Sequence, residues 1–333
     1  MPERIKALRA WLAGSVALEV FSLEVASGDA SFRRYFRVVQ PGKPSLIAMD
    51  APPEREDCRP FVSIAEHLER LGLHVPHIHA VSLEEGFLLI DDLGSRHYLE
   101  ALSARNADRL YGDALGALLV MQACGPRENL PIYDGALLRQ EMSLFRDWLV
   151  RRHLGLNISD NEEKGIDRAF ALLETNALTQ PQVFVHRDYH SRNLMVTASP
   201  NPGILDFQDA VVGPVTYDLV SLLKDCYVRW PEERVRAWAE GYFVLAVQSG
   251  VLRSEQEHQF MRWFDLMGVQ RHLKAAGIFA RLYRRDGKEG YLGDIPRTLS
   301  YIVEVAGNYP ELNDLARFIE SRVLPHLTAR TAH

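Results

Sequence analysis

The chain has 333 residues, 47% of them apolar and 25% charged, with a formal net charge of −6. That balance excludes wholesale disorder, and without a lysine or arginine block it argues against general nucleic-acid binding. A chain of this length favours two lobes over one core. Cys58, Cys124 and Cys226 form no C-x-x-C pair, so neither a zinc site nor a disulfide framework is expected. The start, Met1-Pro2-Glu3-Arg4-Ile5-Lys6, lacks a signal-peptide apolar core, and no run approaches the roughly 20 apolar residues that span a bilayer. The expectation is a monomeric cytoplasmic protein with no membrane contact.

In chain order, Ile5, Leu8, Trp11 and Leu12 mark one face of a short helix. Three β-like stretches follow at about Glu19–Ala26, Tyr35–Gln40 and Ser45–Met49, with Pro41-Gly42 turning between the last two. Phe61, Ile64, Ala65, Leu68 and Leu71 recur at helical spacing before a stop at Gly72. Ile78–Val81 and Phe87–Ile90 read as two more strands. After Asp91-Asp92-Leu93-Gly94 the pattern changes to helices over Leu110–Met121, Leu137–Leu154 and Ile166–Leu173. The apolar strand Val183-Phe184-Val185 then delivers a polar loop, and beyond Asp206 the chain is almost entirely helical to Leu327. The expected fold is α+β, two-lobed and protein-kinase-like: a small β-rich lobe over residues 1–91 for nucleotide and a helical lobe over 92–333 for catalysis and substrate.

The loop reads His186-Arg187-Asp188-Tyr189-His190-Ser191-Arg192-Asn193, followed by Leu205-Asp206-Phe207. An isolated Asp at a strand-to-loop junction would only cap a turn. Here an Asn stands five residues after Asp188 and a second Asp thirteen beyond that, the spacing of the kinase catalytic loop H-x-D-x-x-x-x-N and its metal-binding Asp. Phosphoryl transfer from ATP needs such oxygen ligands: Asp188 as catalytic base toward an acceptor hydroxyl, Asn193 and Asp206 on Mg²⁺. His186 is expected to brace the loop near Asp206, and Asp218 to cap a helix or accept loop N–H groups.

In the small lobe, Gly28, Asp29, Ala30 and Ser31 let backbone N–H groups approach phosphate, and Arg33 and Arg34 add charge-assisted donors. With one glycine the segment is neither a Walker A loop nor G-x-G-x-x-G. The third strand, Leu46-Ile47-Ala48-Met49-Asp50, has Met or Asp where a kinase presents its lysine. Arg33 or Arg34 is expected to supply that charge, oriented by Glu66 or Glu69. The connector offers Ile90, Asp91 and Leu93 to an adenine ring.

At these residues the chain resembles the aminoglycoside phosphotransferase-like superfamily. Gly28-Asp29-Ala30-Ser31-Phe32-Arg33-Arg34-Tyr35, Ala48-Met49-Asp50-Ala51-Pro52-Pro53 and His186-Arg187-Asp188-Tyr189-His190 are most similar to its anomeric sugar kinases of bacterial cell-wall recycling. That resemblance implies ATP-dependent phosphorylation of the 1-hydroxyl of N-acetylmuramic acid and N-acetylglucosamine. Tyr189, His190, Arg192 and Glu141 are then candidate substrate contacts beside Asp188, and Arg187, Arg192 or Arg139 candidate partners of a lactyl carboxylate. An aminoglycoside kinase, a choline- or homoserine-type kinase and a non-catalytic nucleotide-binding pseudokinase stand as alternatives.

Overall fold

The structure is a computed structural model and describes residues 2–28 and 32–331. The chain forms two compact units, Met1–Ala117 with Arg192–Asp209, and Leu118–Ser191 with Ala210–His333.

Helix α1 (Pro2–Gly14) leads into strands β1 (Ser22–Gly28), β2 (Arg34–Val39) and β3 (Leu46–Asp50). Helix α2 (Arg59–Arg70) and strands β4 (Ile78–Ser82) and β5 (Phe87–Asp91) follow, then α3 (Tyr98–Ala101) and α4 (Ala107–Cys124). The five strands form one antiparallel sheet in the order β1-β2-β3-β5-β4. The first strand starts later than the alternation suggested, because Ser15, Val16 and Leu18 spend their N–H groups on the carbonyls of Trp11 and Leu12 to end α1.

Strand alternation divides this sheet into two faces. Phe36, Val38, Ala48, Phe87 and Leu89 pack against Leu8, Trp11 and Leu12 of α1. Tyr35, Arg37, Ile47 and Ile90 lie on the other face and line a cavity. Asp50, fully buried, anchors α1 to the sheet by accepting from both Arg4 and Arg34.

Helix α5 (Gly135–Leu144) continues as a π-helix over Phe145–His153 rather than as one α-helix to Leu154. Helix α6 (Asp160–Leu178) begins at a capping box in which Ser159 and Glu162 bond reciprocally. Strand β6 (Gln182–Val185) delivers the polar loop, and β7 (Leu194–Met195) and β8 (Gly203–Ile204) form a hairpin within the first unit. Strand β9 (Val211–Pro214) pairs with β6. Then come α7 (Tyr217–Leu223), α8 (Glu232–Gln248), the 30-residue α9 (Glu257–Asp286), α10 (Ile295–Ala306), α11 (Asn313–Phe318) and α12 (Leu324–Thr331). The core of the second unit gathers α5, α6, α9, α10 and α11 around Phe145, Phe170, Leu273 and Ile302. Among the described residues no helix is long and apolar enough to cross a membrane.

Helix α9 crosses the end of α5 closely at Gly277, where a Cβ would overlap the backbone of Leu144 and Phe145. Gly277→Ala gains about 1 kcal/mol of helix propensity but incurs a backbone clash costing about 3 kcal/mol or more, so a clear loss of thermal stability is expected. Gly241→Ala in α8, where a Cβ meets nothing, should instead stabilise by up to about 1 kcal/mol. Paired melting curves check both signs.

Candidate active site

In the second unit, the loop leaving β6 is clamped at both ends by buried carboxylates. Asp218, at the start of α7, accepts from the N–H groups of His186 (2.6 Å) and Arg187 (3.0 Å). Asp225, just after α7, accepts from the N–H (3.0 Å) and hydroxyl (2.5 Å) of Ser191 and from the N–H of Tyr227 (3.0 Å). Between the clamps Arg187 sits at φ +77°, a conformation that costs a non-glycine residue roughly 1–2 kcal/mol and is held here by its bonded neighbours. The turn it makes presents Asp188.

The surroundings of Asp188 are cationic. Burial alone would push its carboxyl up, yet Lys274, His190, Arg271 and Arg187 more than offset that and hold it below the ordinary carboxylate range. Asp188 is therefore ionised near neutral pH. Lys274 bonds the Tyr217 hydroxyl (2.8 Å) and Glu141 (3.1 Å), while Glu141 also pairs with Arg187 and accepts from Tyr133. Glu141 is buried; burial opposes its charge, and Lys274 and Arg187 keep its pKa below normal.

These contacts revise three expectations. Glu141 is a buried counter-charge for two cations and has no exposed carboxylate to offer a sugar hydroxyl. Tyr189 is fully buried edge-on to His186, so packing occupies it. Arg187 is committed to Glu141 and Arg139 to Glu174. His190 is half-buried, edge-on to Tyr227. His186 places Nδ1 3.3 Å from the Asp188 N–H. Arg271 and Lys274 were not singled out from sequence. The signal was present as Gln270-Arg271-His272-Leu273-Lys274, polar side chains on several faces of a long helix, all buried.

In the first unit, the β7–β8 hairpin sets Asn193 against Asp206. Leu205 donates its N–H to the Asn193 carbonyl (2.9 Å), and the Asn193 amide donates to Asp206 (3.2 Å). Asp206 adopts φ +65°, tolerated by Asp better than by most residues, and accepts from Gln208 (2.8 Å). Phe207 packs on Phe61 at 4.9 Å. An amide and a carboxylate oxygen side by side are hard donors of the kind Mg²⁺ takes.

Asn193 and Asp206 border the cavity on the sheet, which measures about 360 Å³. Ile90, Asp91, Leu93 and Arg192 line it as well. The Asp91 N–H is spent on the His77 carbonyl (3.0 Å), and Asp92 folds the connector back by accepting from Arg37 (2.6 Å), Ser45 (2.7 Å) and the Gly94 N–H (3.0 Å). Arg33 is buried, bonded to Glu56 (3.3 Å) and 3.8 Å from Asp206. Burial works against its charge, but Tyr35, Asp206 and Glu56 keep its pKa above normal.

Arg34 stands corrected as a phosphate contact: it shares a strand face with Phe36 and Val38, away from the cavity, and is held by Asp50. Glu69 pairs with His77, and the acid on Arg33 is Glu56, ahead of α2. Met49 shares the cavity face of β3 with Ile47 by alternation, whereas Asp50 faces α1. Gly28 ends β1 opposite Arg34, and Asp29, Ala30 and Ser31 lie outside the described residues.

Burial raises the Asp218 carboxyl to about 7, with the Asp188 charge adding to it and the loop N–H groups and Arg271 opposing. The folded chain thus keeps a proton that the unfolded chain loses near 3.9. The contribution of this group is fully present below about pH 4 and is lost as pH rises through about 7, so stability falls across that window. Asp218→Asn is expected to flatten this slope and to cost about 1–3 kcal/mol at neutral pH. It should also speed amide exchange at His186 and Arg187. Denaturation from pH 4 to 8 and hydrogen exchange at those amides test it; unchanged exchange would contradict the clamp.

Three kinds of comparison bear on this geometry. The sequence pattern of the phosphotransferase enzyme family (APH) matches residues 22–264. The chain is 53% identical over 298 residues to a Pseudomonas putida protein named N-acetylmuramate/N-acetylglucosamine kinase, covering 90% of this chain and 87% of that one. It is 51% identical over 296 residues to a Pseudomonas aeruginosa protein of the same name, covering 89% and 87%. The solved Plasmodium vivax ethanolamine kinase shares the fold at a TM-score of 0.64 and 13% identity, over 89% of this chain and 87% of that one. With the match running from β1 into α9, through both the Asp188 loop and the Asn193–Asp206 hairpin, the chain belongs to the phosphotransferase enzyme family.

Proposed function

We propose that this protein transfers the γ-phosphoryl group of ATP to the anomeric 1-hydroxyl of N-acetylmuramic acid and N-acetylglucosamine. The observation that carries the reading is the 53% identity, across nine-tenths of the chain, to a kinase named for those two sugars. The site chemistry supports it. Asp188, ionised and clamped, accepts the proton of the 1-hydroxyl as the new oxygen–phosphorus bond forms, and the bond from phosphorus to the β-phosphate oxygen breaks to release ADP. Asn193 and Asp206 would hold Mg²⁺, which supplies charge neutralisation on the phosphate oxygens when bound. Ile90, Asp91 and Leu93 take the base end of the nucleotide, and Arg33, with Gly28 to Ser31, the phosphate end.

The charge around Asp188 also separates this reading from its alternatives. A polycationic aminoglycoside or choline would have to approach Arg271 and Lys274, both of which act on Asp188. A neutral or anionic sugar meets no such repulsion there. A pseudokinase is disfavoured by the presence of Asp188, Asn193 and Asp206 together at the catalytic-loop spacing.

ADP release with Mg·ATP is expected with N-acetylmuramic acid and N-acetylglucosamine but not with kanamycin or choline. Activity on 1-O-methyl-N-acetylglucosamine would rule out the anomeric position. Asp188→Asn should lower kcat by about 10²- to 10⁴-fold while leaving nucleotide affinity nearly intact. Asp206→Ala should weaken Mg·ATP binding by about ten-fold or more, read by calorimetry, and unchanged affinity would remove Asp206 from the metal.

A further inference from the structure

We propose that Arg281 holds the lactyl carboxylate of N-acetylmuramic acid and so sets the preference between the two sugars; this rests on the sugar-kinase reading above. Arg281 lies seven residues beyond Lys274 on α9. Seven residues are two turns less about 20°, so the two side chains share one face about 10 Å apart along the axis. Helical side chains lean toward the N-terminus, so the Arg281 guanidinium lies over the turn that precedes it, on the Lys274 side of its own Cα. Its electrostatic neighbours agree, since they include Glu141, the residue that bonds Lys274 and Arg187. A cation therefore stands beside the Glu141–Lys274–Arg187 cluster that surrounds Asp188.

Arg281 is also uncommitted. The neighbouring Arg284 donates to the His153 carbonyl (3.0 Å), and Arg285 pairs with Asp286 (2.8 Å). Among the described residues Arg281 has no ion pair and no hydrogen bond, and its Nε is buried without a partner. Burial and Arg285 draw its pKa below the ordinary arginine range against the pull of Asp286 and Glu141. A guanidinium that is partly desolvated and lacks an acid is completed by a carboxylate, which it grips bidentately. The arginines that sequence reading offered for this task are otherwise engaged: Arg187 with Glu141 and Arg139 with Glu174, while Arg192 lines the first-unit cavity.

The test compares kcat/KM for N-acetylmuramic acid, its methyl ester and N-acetylglucosamine in the wild type, R281A and R281K. The wild type should favour the acid over its ester. In R281A the ratio of N-acetylmuramic acid to N-acetylglucosamine should fall about ten-fold or more, through KM, and the acid–ester preference should vanish. R281K should recover part of both. An R281A ratio equal to that of the wild type, or a wild type indifferent to esterification, would overturn the assignment. No ADP release by the wild type with either sugar would overturn the functional reading and the assignment together, a result distinct because no variant enters it.

Discussion

An ionised carboxylate partly withdrawn from water has to be compensated, and the second unit is arranged around that requirement at Asp188. Taking such a charge out of water costs several kcal/mol unless opposite charges and hydrogen bonds replace the solvent. Here the replacement comes from Lys274 and Arg271 on α9 and Arg187 beside it in the loop. Lys274 is buried and Arg187 partly so, and both need an acid of their own, which explains Glu141 inside the α5–α9 contact. The aromatic hydroxyls of Tyr133 and Tyr217 fill the remaining bonds. Gly277 lets α9 approach α5 closely enough for the exchange to occur.

On the proposed reading, the first unit has to bring positive charge to phosphate without the usual lysine. With Met49 on the cavity face of β3, the cations near that face are Arg33 and Arg37. Arg33 is kept near Asp206 by Glu56, and Arg37 is fixed on the connector by Asp92. A guanidinium suits this arrangement because its planar fork can keep one carboxylate bond while turning other N–H groups elsewhere.

Much of this was legible in the chain. The two-lobed α+β plan followed from short alternating stretches giving way to 3.6-residue periodicity, and the family resemblance from the Asp188, Asn193 and Asp206 spacing. Asp218, at the start of a helix that follows the loop, reads as a helix cap or as an acceptor for the loop N–H groups, and the second of these holds. What stayed hidden depended on distance in sequence. Nothing near Glu141 announces a partner at Lys274, and an arginine on strand β2 reads the same whichever face it takes until the register is known. Arg34 was misjudged for that reason: alternation puts it with Phe36, behind the sheet. The π-helix was missed because its apolar positions imitate an α-helical stripe over so short a span.

The order of charges along α9 and its partners has a bearing on biosynthesis. Glu141, Asp188, Asp218 and Asp225 all leave the ribosome before Arg271 and Lys274. Until the middle of α9 is available, Glu141 and Asp188 have Arg187 but lack Arg271 and Lys274, so the helical unit cannot finish closing over them. Its maturation is accordingly a late event in translation, completed when a single long helix arrives with the missing cations.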